Sequence, residues 1–139
     1  MNPAPLATLA LLRRLLLGIL LLGLVGTATE LLLIGHDENA WQVVPLVALA
    51  MAMLASLGMA ATRFRSATQA TRLFRTAMAL LLLSGVMGSV LHYRANMEFK
   101  REMDPSLTGF ALFSSVVQAQ APPALAPGSM VLLGLIGLA

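Results

Sequence analysis

Twenty consecutive residues, Val43–Thr62, carry no charge. Two further runs are nearly as clean: Leu15–Gly35 holds only Glu30, and Thr76–Tyr93 holds only the ionisable His92. A bilayer core of about 30 Å is crossed by about 20 helical residues, and about 17 is the practical minimum. Inside lipid every backbone N–H and C=O must be satisfied within the chain, so such runs can only be helices. A fourth run, Leu125–Ala139, is apolar but shorter. The expected fold is therefore all-α: an integral membrane four-helix bundle forming a single transmembrane domain over residues 1–139, with spans at 15–35, 43–62, 76–93 and 125–139.

Composition agrees. The 139 residues are 58% hydrophobic and 11% charged, with mean hydropathy +0.85, whereas soluble domains are about half apolar and a quarter charged. There is no cysteine, which excludes disulfides, thiolate metal sites and thiol catalysis. The chain is basic, but its cations are too few and too scattered to follow a phosphate backbone, so nucleic acid is excluded as a partner. The alternative reading of the N-terminus is a cleaved signal peptide, with Arg13-Arg14 ahead of Leu15–Val25 and a small-residue site at Gly26-Thr27-Ala28. The apolar run continues through Leu31–Ile34, beyond a signal peptide's core of about 7–15 residues, which favours a retained helix.

The charges set an orientation. Arg13, Arg14, Arg63, Arg65, Arg72 and Arg75 lie before the first run or between the second and third, while Arg94, Lys100 and Arg101 follow the third. The positive-inside rule places the N-terminus and the 63–75 connection in the cytoplasm. All six acids, both histidines, Trp41 and Tyr93 then fall toward the outside. The longest outer connection contains Asp104-Pro105, a helix-start signal. Leu107, Phe110, Phe113 or Ser114, and Val117 follow at helical spacing, predicting an amphipathic surface helix over 105–118. The stretch "QAQAPPALAP" (118–127) reads as a stiff linker.

An internal match bears on Glu30. "GLVGTATE" (23–30) and "GVMGSVLH" (85–92) share the pattern Gly-x-x-Gly-Ser/Thr-x-x-ionisable. Gly23, Gly26 and Thr27 share a helix face with Glu30, and Gly85, Gly88 and Ser89 share one with His92. Small residues let membrane helices approach closely. Glu30 lies 16 residues after Arg14, and His92 lies 17 after Arg75, so the two are expected at one level near the outer edge of the hydrocarbon, paired across the first and third helices. The pair reads as a structural clamp; the alternative is a proton or metal site, since intramembrane ionisable groups are costly unless partnered.

Other clusters are weaker. His36, Asp37 and Glu38 follow the first run, and Glu98 and Glu102 follow His92. With Glu30, the two histidines could offer nitrogen and oxygen ligands to a divalent metal, but without a recognised spacing. Bis-histidine haem ligation by His36 and His92 is disfavoured because the two are expected at different heights. The nine methionines read as adaptable apolar filler rather than a copper path, and the Ala48, Ala52, Ala55 face as packing. No phosphate loop, nucleophile–base pair or dinucleotide fingerprint is present.

The stretches "GTATELLLIGHDENAWQVVPL" (26–46) and "LHYRANMEFKREMDPSLTG" (91–109) resemble a family of small four-helix bacterial membrane proteins to which no activity is assigned. Glu30, His36, Glu38, Trp41, Gln42, Pro45, His92, Tyr93 and Glu98 carry the likeness. Members of that family continue into a basic tail, so the last helix is expected to stop short of its cytoplasmic anchor at Ala139. In size and in an acid on the first helix, the chain is also similar to small multidrug-resistance exporters, although Glu30 lies nearer the outer edge and the outer connection is long. The function expected is that of a non-enzymatic, multi-pass protein of the bacterial inner membrane. It would bind a membrane-protein partner or a second copy of itself, or act as an accessory subunit. The polar site would draw on Glu30, His36, Glu38, His92 and Glu98, with no cofactor. The alternative is a proton- or metal-linked transporter component using Glu30 and His92.

Overall fold

A computed structural model describes residues 4–61, 67–118 and 125–139. Arg63, Arg65 and most of the proline-rich linker lie outside the described residues. The described residues form five helices and no strand: α1 (Ala4–Leu33), α2 (Ala40–Ala61), α3 (Ala67–Met103), α4 (Gly109–Val117) and α5 (Leu125–Leu138). The first three contain stretches long and apolar enough to cross a membrane, whereas α5 is shorter. The class is that of a membrane-embedded α-helical protein.

The helices outrun the apolar runs that announced them. At 37 residues, α3 is about 55 Å long, far more than the bilayer core. Its last turns, from Arg94 onward, are polar and charged. The helix stops at Met103 because Pro105 cannot continue the backbone ladder and biases Asp104 away from helical dihedrals. The surface helix begins at Gly109 rather than Pro105, so Asp104 does not cap it. Instead the Asp104 carboxylate accepts from the Ser106 amide at 3.0 Å and the Ser106 hydroxyl at 2.6 Å. Those two bonds hold its carboxyl below the usual carboxylate range. The resulting turn returns α4 along the C-terminal end of α3, with Leu112 and Val116 buried and Phe110, Phe113 and Val117 exposed. Phe113 meets Tyr93 of α3, ring centroids 6.2 Å apart.

Packing centres on α3, whose most extensive contact is with α5. Both α1 and α3 pack against α2 on one side and α5 on the other, so α1 and α3 are not a principal pair. The core is apolar: Leu20, Leu24 and Leu31 of α1, Leu49 and Ala52 of α2, Met78 and Leu81 of α3, and Met130 and Leu133 of α5. Ser56, fully buried on α2, returns its hydroxyl to the Ala52 carbonyl at 2.7 Å. Leu22, Leu54 and Leu83 stay exposed, as an outer surface facing hydrocarbon permits.

The glycine faces identified in the sequence are contact faces, but their partner is α5. A Cβ on Gly85 would stand 2.7 Å from the Pro127 carbonyl oxygen and 2.8 Å from the Val131 nitrogen. One on Gly134 would stand 2.9 Å from both the Leu82 nitrogen and the Met78 oxygen. Gly137 faces the Met78 side chain, and Gly23 faces Leu133. Gly26, which shares the expected interface with Gly23, has nothing within 4 Å of where a Cβ would lie. Backbone cannot withdraw as a flexible side chain can, so Gly85→Val and Gly134→Val should each destabilise the protein by about 1–3 kcal/mol. Gly26→Ala should be neutral or gain up to about 1 kcal/mol from helix propensity. Thermal unfolding in detergent, followed by circular dichroism, checks the contrast.

Candidate functional site

The end of α1 places the first histidine. Gly35 adopts φ +68°, the left-handed conformation that glycine enters without a Cβ penalty. Around it the Gly35 N–H donates to the Leu32 carbonyl at 3.1 Å and the His36 N–H to the Leu31 carbonyl at 2.9 Å. This is the paired-bond termination called a Schellman motif. It turns the chain sharply and sets His36 immediately beyond the helix.

The start of α2 is closed as firmly. The Asn39 side-chain oxygen accepts from the Trp41 and Gln42 amides at 3.1 and 3.2 Å. The Gln42 side-chain oxygen accepts in return from the Asn39 amide at 3.2 Å and the Glu38 amide at 2.9 Å. This is a reciprocal capping box built from Asn and Gln. The connection between α1 and α2 is thus a set of short, local hydrogen bonds that orients the His36, Asn39, Trp41 and Gln42 side chains together.

These side chains meet α3 and α5 around a cavity of about 520 Å³. His36 and His92 both line it, with ring centroids 6.2 Å apart and planes inclined by 31°. The remaining wall is mostly apolar: Leu31, Met87, Leu91, Pro127 and Met130, with Asn39, Gln42 and Ser84 supplying polar atoms. Both histidines are half-buried. Gly88 contributes an open stretch of helix surface, where a Cβ would only touch Pro127 at 3.5 Å.

Several sequence expectations change here. The ring contact of His92 is with His36, and among the described residues no direct hydrogen bond joins Glu30 to His92. Glu30 is half-buried on α1 and does not line the cavity. The two histidines, expected at different heights, come within 6.2 Å ring to ring, because counting residues along each helix ignores how the helices are offset. Glu38 and Glu98 are exposed and outside the cavity wall. Thr27 is buried, while Ser89 is exposed with its hydroxyl on the Gly85 carbonyl at 3.0 Å. Among the described residues no three acidic or histidine side chains gather as a metal cluster. Asn39 and Gln42 were missed as site residues, although "NAWQ" (39–42) carries the Asn-x-x-Gln spacing of a capping box. Ser84, Met87, Pro127 and Met130 bear no sequence signal that separates them from ordinary helix packing.

No family model, curated protein or solved structure matches the chain, and what the cavity does must be argued from its own chemistry.

The local bonds make a prediction of their own. Gly35→Ala puts a Cβ into a left-handed residue and should cost about 1–2 kcal/mol. Asn39→Ala removes the cap and should cost about 1 kcal/mol. Both should loosen the placement of His36, and nuclear magnetic resonance would show this as broadening or shifting of the His36 imidazole signals ahead of global unfolding.

Proposed function

We propose that this is a non-enzymatic integral membrane protein of the bacterial inner membrane, acting as a binding or accessory component. Its binding site is the histidine-lined cavity at the outer ends of the helices. The cavity carries the reading: it is within the size range of small-molecule and cofactor sites, about 300–1,000 Å³, and combines apolar walls with a few convergent polar groups. In this reading α5 completes a four-helix bundle as a partial fourth crossing and α4 lies at the outer surface. The cytoplasmic placement of the N-terminus rests on the distribution of arginines. A partner protein or a second copy would engage the same outer end. The transporter alternative is opposed by the apolar lower halves: between Arg14 and Glu30, along all of α2, and between Arg75 and His92 there is no ionisable side chain. A proton path through the membrane needs a chain of them.

Two measurements test this. Single cysteines at Gln69 and Asn96, probed with an impermeant thiol reagent in intact cells, should label at 96 and not at 69; the reverse overturns the orientation. Native mass spectrometry of the purified full chain should show a retained small molecule. Ala95→Trp, which builds an indole on the cavity wall, should abolish retention without loss of helicity. A wild-type chain that carries nothing, and whose outer end captures no partner by crosslinking, overturns the binding reading.

A further inference from the structure

We infer that His36 and His92 are the two axial ligands of a haem held in this cavity, an assignment that rests on the binding role proposed for it. Imidazole nitrogens bind metal ions at about 2.0–2.1 Å. The His36 and His92 ring centroids, 6.2 Å apart across the cavity, are close enough for both imidazoles to reach one ion between them. Two histidines on opposite sides of an ion leave the plane between them to other donors, and the described residues provide no third acidic or imidazole ligand there. A tetrapyrrole brings four equatorial nitrogens of its own, and axial histidine is an established mode of haem ligation.

The walls suit the macrocycle. Leu31, Met87, Leu91 and Met130 offer apolar and thioether contacts, and methionine adapts well to a flat aromatic surface. A bare hydrated cation gains nothing from such walls. The rim suits the carboxylate edge of a haem. The side-chain oxygens of Asn39 and Gln42 are held by backbone amides, which turns their NH₂ groups to other partners, and both residues line the cavity. Amide NH₂ groups only donate and carboxylates only accept.

The test is titration of the full chain in detergent with haemin. Binding at one haem per chain is expected, with a sharpened, red-shifted Soret band. After reduction, the split bands of a six-coordinate low-spin haem should appear. Loss of even an outer partner of a metal ligand costs about 10–100-fold in affinity. His36→Ala and His92→Ala should therefore each weaken binding about tenfold or more and convert the spectrum to high spin, with helicity unchanged. Glu98→Gln, outside the wall, should bind as the wild type does. Because either alanine could loosen the fold, His36→Met and His92→Met give a second measure: thioether ligation should keep haem bound with a spectrum distinct from that of the bis-histidine form. No spectral change with haemin, a change indifferent to both histidines, or zinc binding without haem binding each overturns the assignment. If an iron-free molecule is retained in native mass spectrometry and displaced by Ala95→Trp, the cavity remains a binding site and only the haem assignment falls. If haemin does not bind, nothing is retained and no partner is captured by crosslinking, both fall.

Discussion

The structure depends on how closely α5 lies against α3. In lipid there is no hydrophobic drive for one apolar helix to leave its surroundings for another, so association relies on close contact and backbone approach. Gly85 on α3 admits the Pro127 carbonyl and Val131 amide of α5; Gly134 on α5 admits the Leu82 amide and Met78 carbonyl of α3. The reciprocity matters, since each helix yields side-chain volume where the other presents backbone. At fourteen residues α5 is too short to cross a bilayer core by itself, so its place in the protein rests on this contact. That contact also fixes where Ala126, Pro127 and Met130 stand, and these residues form one wall of the cavity.

The opposite wall has a different origin. His36, Asn39, Trp41 and Gln42 are placed by bonds spanning five residues or fewer along the chain, those of the glycine termination of α1 and the capping box of α2. Such bonds depend little on how the helices are offset. The cavity is thus the gap between a locally determined turn and a helix pair joined by long-range packing. His36 belongs to the first wall and His92 to the second, so their 6.2 Å separation is a property of the whole assembly.

How much was legible follows from the same division. Uncharged runs announce helices because lipid permits little else, and α1, α2, α3 and α5 all lie where those runs are. The extension of α3 through Arg94–Met103 was hidden because charged residues interrupt its apolar run, although Pro105 marked its end. Periodicity shows which residues share a face but not which neighbour the face meets. Gly23 and Gly85 were recognised as packing positions and assigned to each other, whereas both turn to α5. Gly26 fits the pattern and touches nothing. Counting residues from Arg14 and Arg75 measured rise along each helix and left their relative offset open, which is why the contact between His36 and His92 was not foreseen. The capping box was present in the sequence as Asn39 and Gln42, but its consequence, a rim of amide groups beside an imidazole, required three dimensions.

The distribution of polarity within the cavity also orients whatever occupies it. Asn39, Gln42 and His36 come from the start of α2 and the turn before it and His92 from α3, while Leu31, Met87 and Met130 extend the wall along the helices. Below them the core residues Leu24, Leu49, Met78 and Leu81 are closed, and no ionisable group continues the path. This shape is a cup with a polar lip, and burying an unpaired polar group against its floor would cost about 1–3 kcal/mol. An occupant gains most by sinking an apolar body toward Met130 and keeping its hydrogen-bonding edge at Asn39 and Gln42. Molecules that are polar throughout, or that must pass to the other side, are poorly served by it.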